Sequence, residues 1–512
     1  VNGVWSALMG LGDQLAAHVL LSAAAIALGI VVALPLAIWA SRSEKVARIS
    51  LAFASLVQTI PALALLALFF PILLSLRSVL GEGLPTLGFL PALLALALYA
   101  LLPILRNAVT AQANLDPGVI EAAHGVGMGF RQRLWLVEAP LSAPYIMAGI
   151  RTAAVWTIGA ATLATTIGQK SLGDPIFAGL QTQNWALVLA GCIASAGLAL
   201  LADTILGTIE RGFRDRRRSL WLGGLVAVAL GIGAALFAQF GSGEDEDAVV
   251  IGAKGFSEQY ILARLIGQRL EEEGFAVEYR DGLGSAVAHS AAASGEVDIY
   301  VDYTGTIWAN QMNREDNLPR EEMYRQITEW ETANTGMHVL GRLGFENAYG
   351  LAVTRERART YGLGSIEDLA RVAPQLTVGG DPEFFERPEW IAVRDAYGLR
   401  FAARRNFSPT FMYNALRSGE ADVIGAYTSD GRIEADNLTI LDDPRGAFPN
   451  YDAVLLLSPS AGSNEGIIAA LEPLIGAIDV GAMREANYSV DREEDKLSFE
   501  EAARQLAERA GL

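Results

Sequence analysis

Cysteine is nearly absent: Cys192 is the only one in 512 residues. No disulfide can therefore form within the chain, and a cysteine-rich metal site is excluded. Histidine is almost as scarce. His18, His124, His289 and His338 are scattered without metal-ligand spacing, so no metal site is expected. Charge is thin too, at 19% of residues, below the quarter or so usual in soluble domains. With 52% of residues hydrophobic, the chain is not disordered. No basic domain exists to neutralise phosphates, which excludes a nucleic-acid partner. No Gly-x-x-x-x-Gly-Lys-Ser/Thr pattern occurs, so the chain is expected to hold no cofactor and no ATP through a P-loop.

The charges that are present are unevenly placed. Up to residue 240 there are 14 Lys+Arg and 10 Asp+Glu, a net of +4. The remainder carries 25 Lys+Arg and 47 Asp+Glu, a net of −22. A near-neutral apolar half thus precedes an acidic, soluble one.

Apolar windows long enough to cross a bilayer fall near 18–40, 46–71, 87–105, 141–167, 185–207 and 219–240. The first is followed by more of the same, so it reads as a span and not as a cleavable signal. Basic residues gather in alternate loops. Arg42, Lys45 and Arg48 follow the first span, Arg106, Arg131 and Arg133 the third, and Arg211 with Arg214–Arg218 the fifth. The positive-inside rule places these loops in the cytoplasm. The acidic half, which begins after the sixth span, is then extracytoplasmic and tethered to the lipid bilayer.

From 249 onward short apolar runs alternate with amphipathic helical patterns. Strands are expected at 249–252, 277–279 and 298–301, then near 337–340, 349–353, 375–379, 421–426 and 452–457. Helices are expected at 257–272 and 285–294. The alternation predicts an α/β architecture with mainly parallel sheets, and its length predicts two lobes. A ligand would bind between them, at strand ends.

The loop 106–140 carries Asp116-Pro117-Gly118-Val119-Ile120-Glu121-Ala122-Ala123-His124-Gly125-Val126-Gly127. Pro117 suits a helix start and Gly127 a terminator. This segment resembles the Glu-Ala-Ala loop of ABC importer permeases, with Ala139-Pro140 where Leu-Pro is usual. Gln58-Thr59-Ile60-Pro61, Leu102–Asn107, Gly149-Ile150-Arg151-Thr152 and Gly168–Gly173 resemble the permease of the glycine betaine/choline branch. In the acidic half, Gly252–Gln259, Asp298–Thr306, Asn347–Leu351, Phe384–Pro388, Gly425–Asp430 and Phe448–Tyr451 resemble that branch's solute-binding protein. Val301-Asp302 stands where Pro-Glu is common, and Ser285-Ala286 where Gly-Thr is.

The resemblance implies a multi-domain chain. An all-α polytopic permease of six transmembrane helices, of the type I importer kind, occupies 1–240, with its cytoplasmic loop at 106–140. A linker follows at 241–248, then a periplasmic-binding-protein-like α/β domain at 249–512. Lobe 1 is about 249–343 and 452–512, and lobe 2 about 344–451. It further implies a bacterial cytoplasmic-membrane location, a separate cytoplasmic ABC ATPase that binds the ATP, and pairing of two copies into a homodimer. Glu121, Ala122, Ala123 and Gly127 would couple the chain to that ATPase.

The implied ligand is a small quaternary ammonium or betaine compound. Such a cation has no N–H, so aromatic faces hold it best, each contributing about 0.5–2 kcal/mol. The matched positions nominate Tyr303, Tyr349, Tyr427 and Tyr451 as the cage. Lys254, Thr306 and Arg387 are nominated for a ligand carboxylate, which an arginine can grip with two bonds. Tyr300 and Trp308 read as packing. The importer reading has alternatives: the same machine specific for ergothioneine or another cationic solute, a membrane-tethered sensor, or an anchored extracytoplasmic enzyme. No catalytic triad supports the last, so a transport subunit and not an enzyme is expected.

Overall fold

The computed structural model describes the whole chain except residues 1, 82–83, 183, 242–247, 315, 317, 408 and 493. Most of the expected linker, 242–247, therefore lies outside the described residues. The chain divides into two compact units. One is built from residues 1–177 and 186–244, and the other carries 245–512.

The first unit is helical. Among the described residues, five helices are long and apolar enough to cross a membrane: Gly12–Ala40, Phe89–Ala113, Phe130–Ile167, Trp185–Arg214 and Arg218–Gln239. The expected span 46–71 is not one straight helix. It is a pair, Glu44–Thr59 and Ala62–Leu80, bent by 104°. The cause is Pro61: the residue before a proline is pushed out of the helical region, and Ile60 is extended at φ −76°, ψ 126°. Six spans result only if this pair counts as one.

Small side chains set the packing. Ala33 and Ala37 on the first long helix meet Ala100, Ile104 and Leu105 on Phe89–Ala113, with Ala153 from the Ala139–Ala161 helix behind. In an apolar solvent, close approach of helix backbones replaces the hydrophobic effect as the packing force. The Ala139–Ala161 helix is also joined to Trp185–Arg214 by Arg151. Its guanidinium grips Asp203 at 2.7 Å and reaches Glu210 at 3.3 Å.

The helix within the 106–140 loop runs Pro117–Gly125. Asp116 caps it, its carboxylate accepting the Gly118 N–H at 2.8 Å. Ala123 is buried, while Glu121 and Ala122 are exposed. Gly127 adopts φ +76°, a left-handed conformation that a residue with a Cβ occupies only at a cost. Arg133 and Glu138 then pair at 2.6 Å as the chain returns to the next span.

The second unit holds two five-stranded sheets. The first contains β1 (Val249–Lys254), β2 (Val277–Leu283), β3 (Ile299–Tyr303), β4 (His338–Glu346) and β10 (Asp452–Leu457), in the order β2-β1-β3-β10-β4. The second contains β5 (Tyr349–Thr354), β6 (Thr377–Gly380), β7 (Ala403–Asn406), β8 (Val423–Tyr427) and β9 (Leu438–Ile440), in the order β7-β6-β8-β5-β9. The chain crosses between sheets twice, from β4 to β5 and from β9 back to β10.

Two expectations need correction. The sheets are mixed and not mainly parallel: β10 runs antiparallel to both β3 and β4, and β5 antiparallel to both β8 and β9. In each sheet the returning strand enters from the other lobe, and that reversal leaves no mark on local hydrophobic periodicity. β7 and β9 were also unforeseen. β7 is Ala-Arg-Arg-Asn, exposed at every position, and β9 is only three residues long. The helices at Ser257–Glu272 and Ser285–Ala293 fall where the pattern puts them.

Candidate functional site

Strand ends bring the nominated residues together. Lys254 closes β1, Tyr303 closes β3, Tyr349 opens β5, Tyr427 closes β8 and Tyr451 stands just before β10. All seven nominated ligand residues, Lys254, Tyr303, Thr306, Tyr349, Arg387, Tyr427 and Tyr451, line one cavity of about 340 Å³. Ser285, at a departure from the family pattern, lines it as well.

Three of the four tyrosines form one aromatic group. Tyr349 and Tyr427 are direct partners in the antiparallel β5–β8 ladder, which places their side chains on the same face. Their ring centroids are 5.1 Å apart, and Tyr451 meets Tyr349 edge-on at 5.8 Å. Phe384 backs Tyr349 at 5.2 Å. Gly305 explains the Tyr-Thr-Gly-Thr pattern: a Cβ there would sit 2.5 Å from the Tyr451 ring.

Tyr303 is held differently. Its hydroxyl donates to Glu258 at 2.5 Å and accepts from Gln259 at 3.0 Å. Burial, then the Glu258 charge, pushes this hydroxyl well above the usual phenol range. Burial likewise raises Tyr427, with Tyr349 and Asp381 adding to it. Burial raises Tyr451 too, against the opposing pull of Arg387. All three hydroxyls therefore stay protonated.

The two nominated cations already have carboxylate partners. The Lys254 ammonium pairs with Asp302, which is fully buried and also accepts the Tyr300 hydroxyl at 3.0 Å. Arg387 pairs with Glu389 at 3.3 Å through both Nε and Nη2, and Glu389 also takes the Tyr451 hydroxyl. Burial opposes the Arg387 charge, but Tyr349, Tyr451 and Glu389 outweigh it and raise its pKa. Its guanidinium carbon lies 5.3 Å from the Tyr349 ring centre, and the Lys254 nitrogen 5.3 Å from that of Tyr303.

Several cavity residues escaped sequence reasoning. Glu258 and Asn347 stand inside quoted motifs and were passed over for their louder neighbours. Asn487 and Asp491 come from the Val480–Asp491 helix, far along the chain, and no local pattern announces them. Asp491 accepts the Ser257 hydroxyl at 2.6 Å, and burial raises its carboxyl to about 6 despite nearby Arg432. Arg432 in turn grips Asp430 at 2.6 Å.

Comparison with known proteins agrees with this architecture in both units. Residues 247–509 match the substrate binding domain of ABC-type glycine betaine transport systems. Residues 25–215 match the inner membrane component of binding-protein-dependent transport systems. The ergothioneine transport permease/ergothioneine binding protein EgtU of Helicobacter pylori is 31% identical over 469 residues, 89% of this chain and 82% of that one. The glycine betaine/carnitine/choline transport system permease protein OpuCB of Bacillus subtilis is 40% identical over 194 residues, 38% of this chain and 84% of that one. A glycine-betaine-binding protein of Pseudomonas aeruginosa is 31% identical over 257 residues, 48% of this chain and 82% of that one. A multi-pass helical unit and a two-sheet binding unit in one polypeptide thus each find their counterpart, and the chain belongs to the glycine betaine branch of ABC importers, as a fusion of inner-membrane permease and substrate-binding domain.

Proposed function

We propose that this importer takes up betaine-like quaternary ammonium compounds, with glycine betaine, choline and proline betaine as the reference ligands. The observation that carries the reading is the contiguous group Tyr349, Tyr427 and Tyr451 at the rim of Arg387, in one cavity with Tyr303. Neutral aromatic faces attract a cation that offers no hydrogen bond. Arg387, Lys254 and Thr306 would meet a ligand carboxylate, Arg387 by turning from Glu389. Residues 249–512 would act outside the cell as two lobes closing on the ligand, with 1–240 as the pathway. A separate ATPase would bind ATP and dock at Glu121, Ala122, Ala123 and Gly127, and two copies of the chain would pair. This chain would need no ATPase site or cofactor of its own.

Binding of labelled choline and glycine betaine to the full chain in lipid nanodiscs tests the ligand reading. Binding should weaken on Tyr427→Ala, and Arg387→Ala should harm glycine betaine more than choline. Unchanged affinities would overturn it. Gly127→Asp forces a side chain into a left-handed backbone position and should abolish uptake while leaving ligand affinity intact. Normal uptake would overturn the docking role.

A second reading is favoured by the relative that spans both units, whose name is that of an ergothioneine transporter. Ergothioneine carries the same trimethylammonium and carboxylate. Competition between it and glycine betaine on the full chain decides between the two.

A further inference from the structure

We infer that Glu258 is a positioning residue, the one carboxylate that holds the walls of the ligand cavity in register with each other across the two sheets. The inference rests on the reading of that cavity as the ligand site. Glu258 opens the Ser257–Glu272 helix and is 3% exposed. One of its oxygens accepts the Tyr303 hydroxyl at 2.5 Å and the Asn347 amide at 3.0 Å. The other accepts the Asn487 amide at 2.9 Å. Ser429 supplies a further hydrogen bond.

These four partners come from four places. Tyr303 ends β3 in the first sheet, and Asn347 lies in the crossing from β4 to β5. Ser429 follows β8 in the second sheet, and Asn487 belongs to the Val480–Asp491 helix. All four residues around Glu258, like Glu258 itself, line the cavity. A single buried carboxyl group therefore ties both sheets, the crossing between them and the C-terminal segment to one point.

Two independent observations agree. The side-chain carbonyls of Asn347 and Asn487 are buried with no hydrogen-bond partner. Turning either amide over would satisfy nothing and would aim its oxygen at the carboxylate. Both amides are thus oriented by Glu258 at the expense of their own acceptors. The surrounding backbone is also cross-tied. Asn487 donates to the Ser429 carbonyl at 3.0 Å, and Arg484, one turn earlier, to the Thr428 carbonyl at 2.8 Å. The Thr428 hydroxyl takes the Ala348 N–H at 2.9 Å in the crossing. Glu258 sits where these ties converge, and it acts on ligand through Tyr303 and Asn347.

The test uses the full chain in lipid nanodiscs, with labelled choline and glycine betaine as probes, at a temperature where every variant is folded. Glu258→Ala should weaken both ligands at least tenfold and speed their dissociation. Glu258→Gln keeps an acceptor for Tyr303 and Asn347 but loses Asn487, so it should show a smaller loss, about threefold. Adding Asn487→Ala to Glu258→Gln should then cost less than Asn487→Ala alone. Unchanged affinity and dissociation in folded Glu258→Ala, or strict additivity of the last pair, would overturn the inference. If Glu258→Ala does not fold, the Glu258→Gln comparison decides it. If the native chain binds neither probe, the ligand reading fails separately. Hydrogen exchange then judges Glu258: amides at 346–349 and 428–431 should exchange faster in Glu258→Gln, and unchanged exchange would overturn it.

Discussion

The cavity has two unlike walls. On the first-sheet side Lys254 is held by Asp302, Tyr303 by Glu258, and Glu258 by both asparagines. On the second-sheet side Tyr349 and Tyr427 meet ring on ring, the Tyr427 hydroxyl bonds Asp381 at 3.3 Å and also Tyr349, and Arg387 keeps its partner Glu389. The first wall is fixed by charge and hydrogen bonds, whose geometry is demanding and whose loss is costly. The tyrosine pair of the second is fixed mainly by strand register and packing, beside the Arg387–Glu389 pair. Under the proposed function, one wall would supply rigidity and the tyrosine pair attraction.

The sharpest break in that contrast is Lys254→Met. It strands Asp302, fully buried, without its cation, and should cost about 3–5 kcal/mol of stability in thermal unfolding. Lys254→Met with Asp302→Asn should recover much of that. If the single variant unfolds like the native chain, the first wall is not held by charge. Next comes Tyr427→Ala on the second wall. It should lower affinity for a trimethylammonium ligand by up to roughly thirtyfold, the equivalent of about 2 kcal/mol, with a smaller effect on unfolding. Equal damage to stability and affinity would erase the distinction between the walls.

The smallest effect is expected at Asp491. Its carboxyl titrates at about 6, above its ordinary 3.8, because burial favours the neutral form. The neutral group's contribution is fully present below about pH 4 and is lost as pH rises through 6. Asp491→Asn should remove that loss, so the variant's midpoint should gain on the native one between pH 4 and 6. A difference that is constant with pH would show that Asp491 is not buried against its charge.

Much of this was legible in residue order, for identifiable reasons. Long uncharged runs mark membrane helices, and alternate basic loops orient them. The Pro61 bend was not legible, because hydropathy stays high straight through it. In the binding unit, strands buried on both faces, such as β3 and β10, announce themselves as apolar runs. β7 does not, since an exposed Ala-Arg-Arg-Asn reads as loop. The nominated tyrosines converge because their motifs sit at strand ends, and Arg387 joins them from the junction of the Pro382–Glu386 and Pro388–Tyr397 helices. The carboxylates that answer the cations were harder. Asp302 was visible only as a departure from Pro-Glu, Glu389 lay just past the quoted Phe384–Pro388, and Asn487 meets Glu258 across more than two hundred residues.

The pairing of Tyr349 with Tyr427 in the β5–β8 ladder has one more consequence. Neighbouring strands keep a main-chain spacing near 4.8 Å whatever side chains they carry. The spacing between the points where these two side chains attach is therefore set by the backbone. Side-chain substitutions can change the size and tilt of the rings, but not the width between these attachment points. Altering that width requires slipping the ladder, and a slip by one residue would turn one ring to the far side of the sheet. Under the proposed function, where the two rings stand to meet an ammonium head is in this sense a property of the sheet, while their tilt and the rest of the ligand are left to side-chain contacts around them.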